Sequence, residues 1–164
     1  MPDSQTRIAG ALYAVFPRAV SPATLAEYGI DANPAQAQRL TRELLSLSLF
    51  WARGAVEVVL PPKDVARILD TLRARVAESW DVELGLAGQD RTAYFAEQEE
   101  RGRTYQAIIK KGGEPIAVVS EAAALLVHEG VVRPEDRGKV LALLTDLTPV
   151  DELGEVIQEI EEGS

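Results

Sequence analysis

Apolar residues recur at helical spacing from the start of the chain. One apolar face of this kind predicts a helix, and the residues of the first face are Ile8, Leu12, Val15 and Phe16. Two more helices have start signals, because Ser21-Pro22 and Asn33-Pro34 each place a capping side chain before a proline. Pro17 ends the first helix and Gly29 ends the second. The third helix has its own apolar stripe, formed by Ala37, Leu40, Leu44 and Leu47.

The hydrophobic pattern becomes alternating at the end of the third helix. Residues 50–53 and 55–60 flank Gly54, and Val56, Val58 and Leu60 occupy every second position of the later segment. Such alternation predicts a strand, so the two segments predict a short hairpin. Three helices followed at once by a hairpin resemble the winged helix-turn-helix superfamily. The resemblance covers residues 5–60, about a third of the chain.

The polar side of the third helix carries residues that can contact nucleic acid. Arginine pairs bidentately with guanine, and glutamine pairs with adenine. Members of the winged-helix superfamily commonly place this helix in the major groove and the wing beside the backbone. The resemblance therefore implies double-stranded DNA as a partner. The residues that the resemblance implies as contacts with bases or phosphates are Gln38, Arg39, Thr41 and Arg42, and the residue that it implies as a wing contact is Arg53.

Helical and extended patterns both continue beyond residue 60. Pro61-Pro62 predicts the start of a helix that runs to about Trp80, because proline is tolerated in a first helical turn. Residues 81–86 alternate polar with apolar side chains and predict a short strand. A charged helix is expected over residues 92–101.

The next segment has two interpretations. Residues 104–109 and 115–119 are rich in strand-forming side chains and flank Gly112-Gly113, which predicts a hairpin. A continuous helix through residues 105–111 is the competing interpretation. Three helices should finish the chain, and they are expected over residues 120–129, 134–147 and 149–160.

These elements predict a mainly α-helical protein with a small β content. The N-terminal domain would be a winged helix-turn-helix domain and the C-terminal domain an α+β helical domain. The boundaries that we predict are residues 1–61 for the first domain, 62–80 for a linker helix and 81–164 for the acidic α+β domain.

Charge is distributed unevenly between these segments. The formal net charge is −9, which disfavours general affinity for nucleic acid, because phosphate neutralisation supplies most non-specific binding. Residues 1–60 contain five arginines and five acidic residues, so the whole excess belongs to residues 61–164. An acidic C-terminal half is compatible with DNA reading by the first segment and equally with binding to proteins only.

Residues that could support catalysis or metal binding are scarce. The 164-residue chain has no cysteine and one histidine, His128, whose position near a helix end favours a structural role with the helix dipole. Lys111-Gly112-Gly113 lacks the spacing of a phosphate-binding loop. We therefore expect no enzymatic activity, no metal site and no cofactor. The start of the chain lacks a signal-peptide pattern and no run is long enough to span a membrane, so we expect a cytoplasmic protein.

The last helix predicts a subunit interface. Its apolar stripe must be buried, either within the chain or in a homodimer, and the residues that we assign to the interface are Leu153, Val156, Ile157 and Ile160. The function expected from the whole sequence is that of a non-enzymatic, DNA-associated regulator whose acidic half dimerises or binds a partner. The alternative is a protein-interaction adaptor whose first domain does not bind DNA.

Overall fold

Helices are the only regular secondary structure in the part of the chain that the computed structural model describes, residues 3–163. A 3-10 helix, Pro134–Asp136, precedes the seventh α-helix. The α-helices of the described residues are α1 (Ser4–Ala14), α2 (Pro22–Glu27), α3 (Pro34–Val59), α4 (Pro62–Glu78), α5 (Arg91–Lys110), α6 (Pro115–His128), α7 (Arg137–Leu147) and α8 (Val150–Glu162).

The 26-residue helix α3 is the centre of the molecule. It begins after Asn33, the capping residue predicted from the sequence. Asn33 and Gln36 form a capping box, in which the Asn33 side chain accepts from the Gln36 backbone and the Gln36 side chain accepts from the Asn33 backbone. It ends before Pro61-Pro62, because a residue that precedes proline is pushed out of the helical conformation. Leu60 accordingly has φ −127° and ψ 151°.

One apolar core surrounds the C-terminal half of α3. Helices α1, α4 and α8 pack there, and the 79–90 connection folds Trp80, Leu84 and Leu86 into the same core. Buried representatives of the four helices are Leu12, Leu49, Ile68 and Ile157.

A second apolar core surrounds the N-terminal half of α3. It is formed with α2, α6, α7 and the C-terminal part of α5. Buried representatives are Leu25, Leu40, Tyr105, Ala122 and Leu143. Trp51 packs against both cores from its position on α3.

The predicted wing is absent, because residues 50–59 continue α3. Leu45, Leu49, Ala52 and Val56 recur at helical spacing and are all buried, whereas Val58 is 83% exposed. The alternation of Val56, Val58 and Leu60 therefore does not mark one face of a strand. Gly54 costs a helix interior about 1 kcal/mol relative to alanine, and burial of this stripe outweighs that cost.

The two other β predictions are also wrong. Residues 81–86 form turns, with Leu84 N–H donating to Ser79 O at 3.0 Å and Leu86 N–H donating to Trp80 O at 2.9 Å. Val82 is 89% exposed while Leu84 and Leu86 are fully buried, so the alternating apolar residues do not share a face.

The predicted Gly-Gly hairpin is a helix end. Gly112 adopts φ +84°, which suits glycine after a helix. A Cβ on Gly113 would lie 2.6 Å from the Ile108 side chain, so the chain turns from α5 into α6 through a space that only glycine fits. The continuous helix through residues 105–111, our competing interpretation, is the one found. The fold class predicted from the sequence, a winged helix-turn-helix domain with an α+β domain, is wrong for the described residues.

Both cores mix residues from the predicted N-terminal and C-terminal domains. The first also includes the predicted linker, since Ile68, Leu72 and Val76 of α4 lie within it. The boundaries at residues 61 and 80 stay predictions. Across residues 3–163, no helix combines the length and the apolar character needed to cross a membrane.

Candidate functional site

A polar network lies between α3 and α5 and reaches the end of α6. Three arginines meet three glutamates there, so their formal charges balance. The arginines are Arg39, Arg42 and Arg101, and the glutamates are Glu43, Glu97 and Glu129.

Glu43 is the most buried member of the network, with 2% of its surface exposed. Arg101 Nε donates to its Oε1 at 3.1 Å, and the Tyr105 hydroxyl donates to its Oε2 at 3.1 Å. Burial raises the pKa of the Glu43 carboxyl, and Arg101 and Tyr105 offset part of that increase. Burial and the Glu43 charge also raise the pKa of Tyr105, so its hydroxyl stays protonated and remains a donor.

Arg39 and Arg42, two of the predicted nucleic-acid contacts, join α3 to its neighbours. Arg39 lies 3.2 Å from Glu97 and 2.6 Å from Glu129. Arg42 lies 2.6 Å from Glu97 and donates to Gln89 Oε1 at 3.1 Å. Both guanidinium groups therefore have carboxylate partners inside the molecule, and contact with DNA would require them to exchange these partners for phosphates.

The other predicted contacts also have intramolecular partners. Gln38 Nε2 donates to Gly85 O at 3.0 Å. Thr41 is buried, and its hydroxyl donates to Ala37 O and accepts from the Val20 N–H, each at 3.0 Å. Arg53 is exposed and pairs with Glu57, one turn along α3, at 2.7 Å. The structure thus spreads the five residues over an internal network, a loop contact, the protein interior and the surface.

The raised pKa of Glu43 predicts a pH dependence. Because the folded-state pKa lies above the ordinary value of 4.5, the stability that Glu43 contributes is complete below the unfolded-state pKa and is lost as the pH rises through the folded-state pKa. The Glu43→Gln variant keeps the shape but cannot titrate. We expect the free energy of unfolding of wild type minus that of the variant to decrease as the pH rises above about 4.5.

Urea unfolding of both proteins between about pH 4 and pH 8 measures this difference. Glu99→Gln, which removes an exposed carboxylate from α5, controls for the loss of one charge. A difference that increases with pH would show that the ion pair, and not burial, determines the titration of Glu43.

An open groove runs between α3, α4 and α5. Its larger cavity has a volume of 480 Å³ and its smaller cavity 350 Å³. The two adjoin each other, because they share the lining residues Arg53, Glu57, Leu69 and Arg73. We call this surface the α3–α4–α5 groove. The larger cavity lies within the size range of ligand pockets.

Half of the residues that line the larger cavity come from α5, and the sequence pattern did not predict them. Gln98, Gly102, Gln106 and Lys110 follow one another at four-residue spacing along that helix and line the cavity. The predicted break between residues 101 and 104 separated them. A helical interpretation of the whole segment would have placed these four residues on one face.

The apolar stripe of α8 packs within the chain. Leu153 and Ile157 are buried in the first core, and Val156 and Ile160 are partly buried against it. The stripe therefore has an intramolecular partner in α1 and α3. Its use in a homodimer stays a prediction.

The described residues offer few groups for catalysis. His128 is exposed at the end of α6. Within residues 3–163, no group of three or more histidine, cysteine, aspartate or glutamate side chains is placed to hold a metal ion.

Comparisons with known proteins do not identify a relative. The sequence matches no family model, no curated protein and no solved structure.

Proposed function

We propose that this protein is a non-enzymatic, cytoplasmic protein-interaction adaptor. The observation that carries the proposal is the α3–α4–α5 groove, which combines apolar and charged lining residues on an otherwise well-packed helical protein. Open grooves between helices are a common surface for binding a segment of another protein. A binding role needs no catalytic group, and the groove offers concave surface on three helices.

The internal partners of the α3 arginines favour an adaptor over a DNA reader. If Arg39 and Arg42 turned towards phosphates, Glu97 and Glu129 would lose their cationic partners and stand close to the DNA backbone. Like charges at that position cost binding free energy. Recognition of DNA by α3 would therefore oppose the interactions that hold α3 against α5.

The test is reconstitution of a complex from purified proteins. Tagged protein is used to capture partners from a nuclease-treated extract, and each captured protein is then purified and mixed with the untagged chain. We expect a discrete complex that co-sediments at physiological salt. In parallel, anisotropy titrations with mixed-sequence duplexes are expected to show no binding at low salt, where phosphate contacts are strongest.

Two results would contradict the adaptor proposal. One is the failure of every captured protein to form a complex with the purified chain. The other is salt-dependent duplex binding that the Arg39→Ala, Arg42→Ala double variant reduces, with a salt slope smaller by about two units. That result would favour a DNA-associated regulator.

A further inference from the structure

Cations are concentrated in the α3–α4–α5 groove although the chain has a net charge of −9. Arg53, Arg73, Arg103 and Lys110 line the larger cavity, against Glu57 and Glu99. Such a concentration in a cleft attracts ligands of the opposite sign. The larger cavity is therefore suited to carboxylates or to other anionic groups.

Two of these cations are not engaged within the described part of the chain. Arg53 pairs with Glu57, and Arg73 lies 3.5 Å from Asp70. The side chains of Arg103 and Lys110 form no hydrogen bond or ion pair with other residues between 3 and 163. They are seven positions apart on α5, which corresponds to about 10 Å along the helix axis. An occupant with two carboxylates at this separation could contact both.

Gln98 supplies the second feature of the groove, a buried acceptor without a donor. The residue is 8% exposed and lines the larger cavity, and its Oε1 has no hydrogen-bond partner. A buried polar atom left without a partner is costly, so rotation of the Gln98 amide towards a ligand that brings a donor is favoured. A peptide N–H is such a donor, whereas a carboxylate or a fully ionised phosphate is not.

The smaller cavity supplies an apolar end. Its lining includes Leu60, Pro62, Val65 and Ala66, where α3 passes into α4. An aliphatic side chain of an occupant would remove water from these residues. The groove therefore has an apolar end, a buried amide acceptor and two cationic side chains without an intramolecular partner.

Resting on the proposed adaptor function, we propose that the α3–α4–α5 groove binds an acidic amphipathic segment of a partner protein. The apolar side chain of the segment occupies the cavity at Leu60 and Val65, a main-chain N–H donates to Gln98, and carboxylates contact Arg103 and Lys110. A long polyanion fits less well, because Glu57, Asp70 and Glu99 lie along the same groove and would repel successive phosphates.

The test uses a defined probe and a matched pair of variants. The probe is a fluorescein-labelled peptide of about twelve residues, with leucines at one end and glutamates spaced along the remainder. The groove variant is Arg103→Glu, Lys110→Glu. The control variant is Arg7→Glu, Arg137→Glu, which changes the net charge equally at two exposed positions outside the groove.

We expect the peptide to bind wild type and the control variant with dissociation constants within about twofold, and the groove variant at least about tenfold more weakly. The same peptide with glutamine in place of glutamate should bind poorly. In NMR titrations of the wild-type chain, the largest shift changes should fall on residues 98–110 and 60–73. This second measurement does not depend on the folding of any variant.

Several outcomes would overturn the inference. The first is an equal loss of binding in the groove and control variants. The second is NMR shift changes that lie remote from α4 and α5. The third is displacement of the peptide by inorganic phosphate or duplex DNA at lower concentration than by unlabelled peptide. A reconstituted partner complex that the groove variant forms as well as wild type would overturn the groove assignment alone and leave the adaptor function standing.

Discussion

Replacing Arg101 with methionine is expected to lower the free energy of unfolding by about 3–5 kcal/mol at neutral pH. The substitution leaves the aliphatic bulk on α5 but removes the cation that contacts Glu43 and Glu129. Glu43 is then buried without an opposite charge, and only the Tyr105 hydroxyl still donates to it. Urea unfolding followed by circular dichroism measures the change in the midpoint and in the extrapolated free energy.

Arg53→Met is the matched control, because it removes an arginine from an exposed pair one helical turn apart on α3. Pairs of that kind contribute about 0.3–0.5 kcal/mol. The Glu43→Gln, Arg101→Met double variant should recover part of the loss, since it removes the uncompensated charge as well. A loss below about 1 kcal/mol for Arg101→Met would mean that the network is solvated and does not hold α5 to α3.

Leu153→Ala is expected to destabilise the fold by about 2–5 kcal/mol, the range for large-to-small substitutions in a packed core. Leu153 is 1% exposed where α8 packs against α1 and α3. The substitution removes apolar contacts and leaves a space that the three helices close only in part. Thermal and urea unfolding give the magnitude, and sedimentation gives the oligomeric state.

Glu159→Ala, on the exposed side of α8, is the control and should change stability by no more than about 0.5 kcal/mol. The two substitutions together separate an intramolecular role of the helix from an intermolecular one. If Leu153→Ala leaves the unfolding midpoint unchanged but converts a dimer into monomers, the stripe is a subunit interface and the packing of α8 within its own chain is wrong.

Local signals in the sequence predicted the starts of the helices well and their continuation poorly. Ser21 and Asn33 cap α2 and α3 as expected, since capping depends on residues that are neighbours in the chain. The sequence predicts strands in the C-terminal third of α3, because valines at alternating positions favour extended structure. That segment is helical because Ala52 and Val56 are buried against other helices. A prediction made from neighbouring residues alone does not include this contact.

The candidate site was predictable only in part. The sequence predicts Arg39 and Arg42 on the polar side of the third helix, and in the structure both side chains pair with carboxylates of other helices. It could not supply their partners, because Glu97 and Glu129 lie more than fifty residues away along the chain. Whether an arginine faces a phosphate or an internal carboxylate is decided by tertiary packing. The sequence does not predict the α3–α4–α5 groove for the same reason, since the groove exists only where three helices meet.

The shared position of α3 has a consequence for how the chain gains and loses order. Helix α3, about 39 Å long at 1.5 Å per residue, contributes residues to both apolar cores, and between Leu44 and Phe50 the residues of the two cores alternate along the helix. A break in the middle of α3 would therefore remove contacts from both cores, and we expect the two cores to unfold as one cooperative unit. Folding intermediates with one finished core and one open core are disfavoured, and damage at either end of the molecule lowers the protection of the whole.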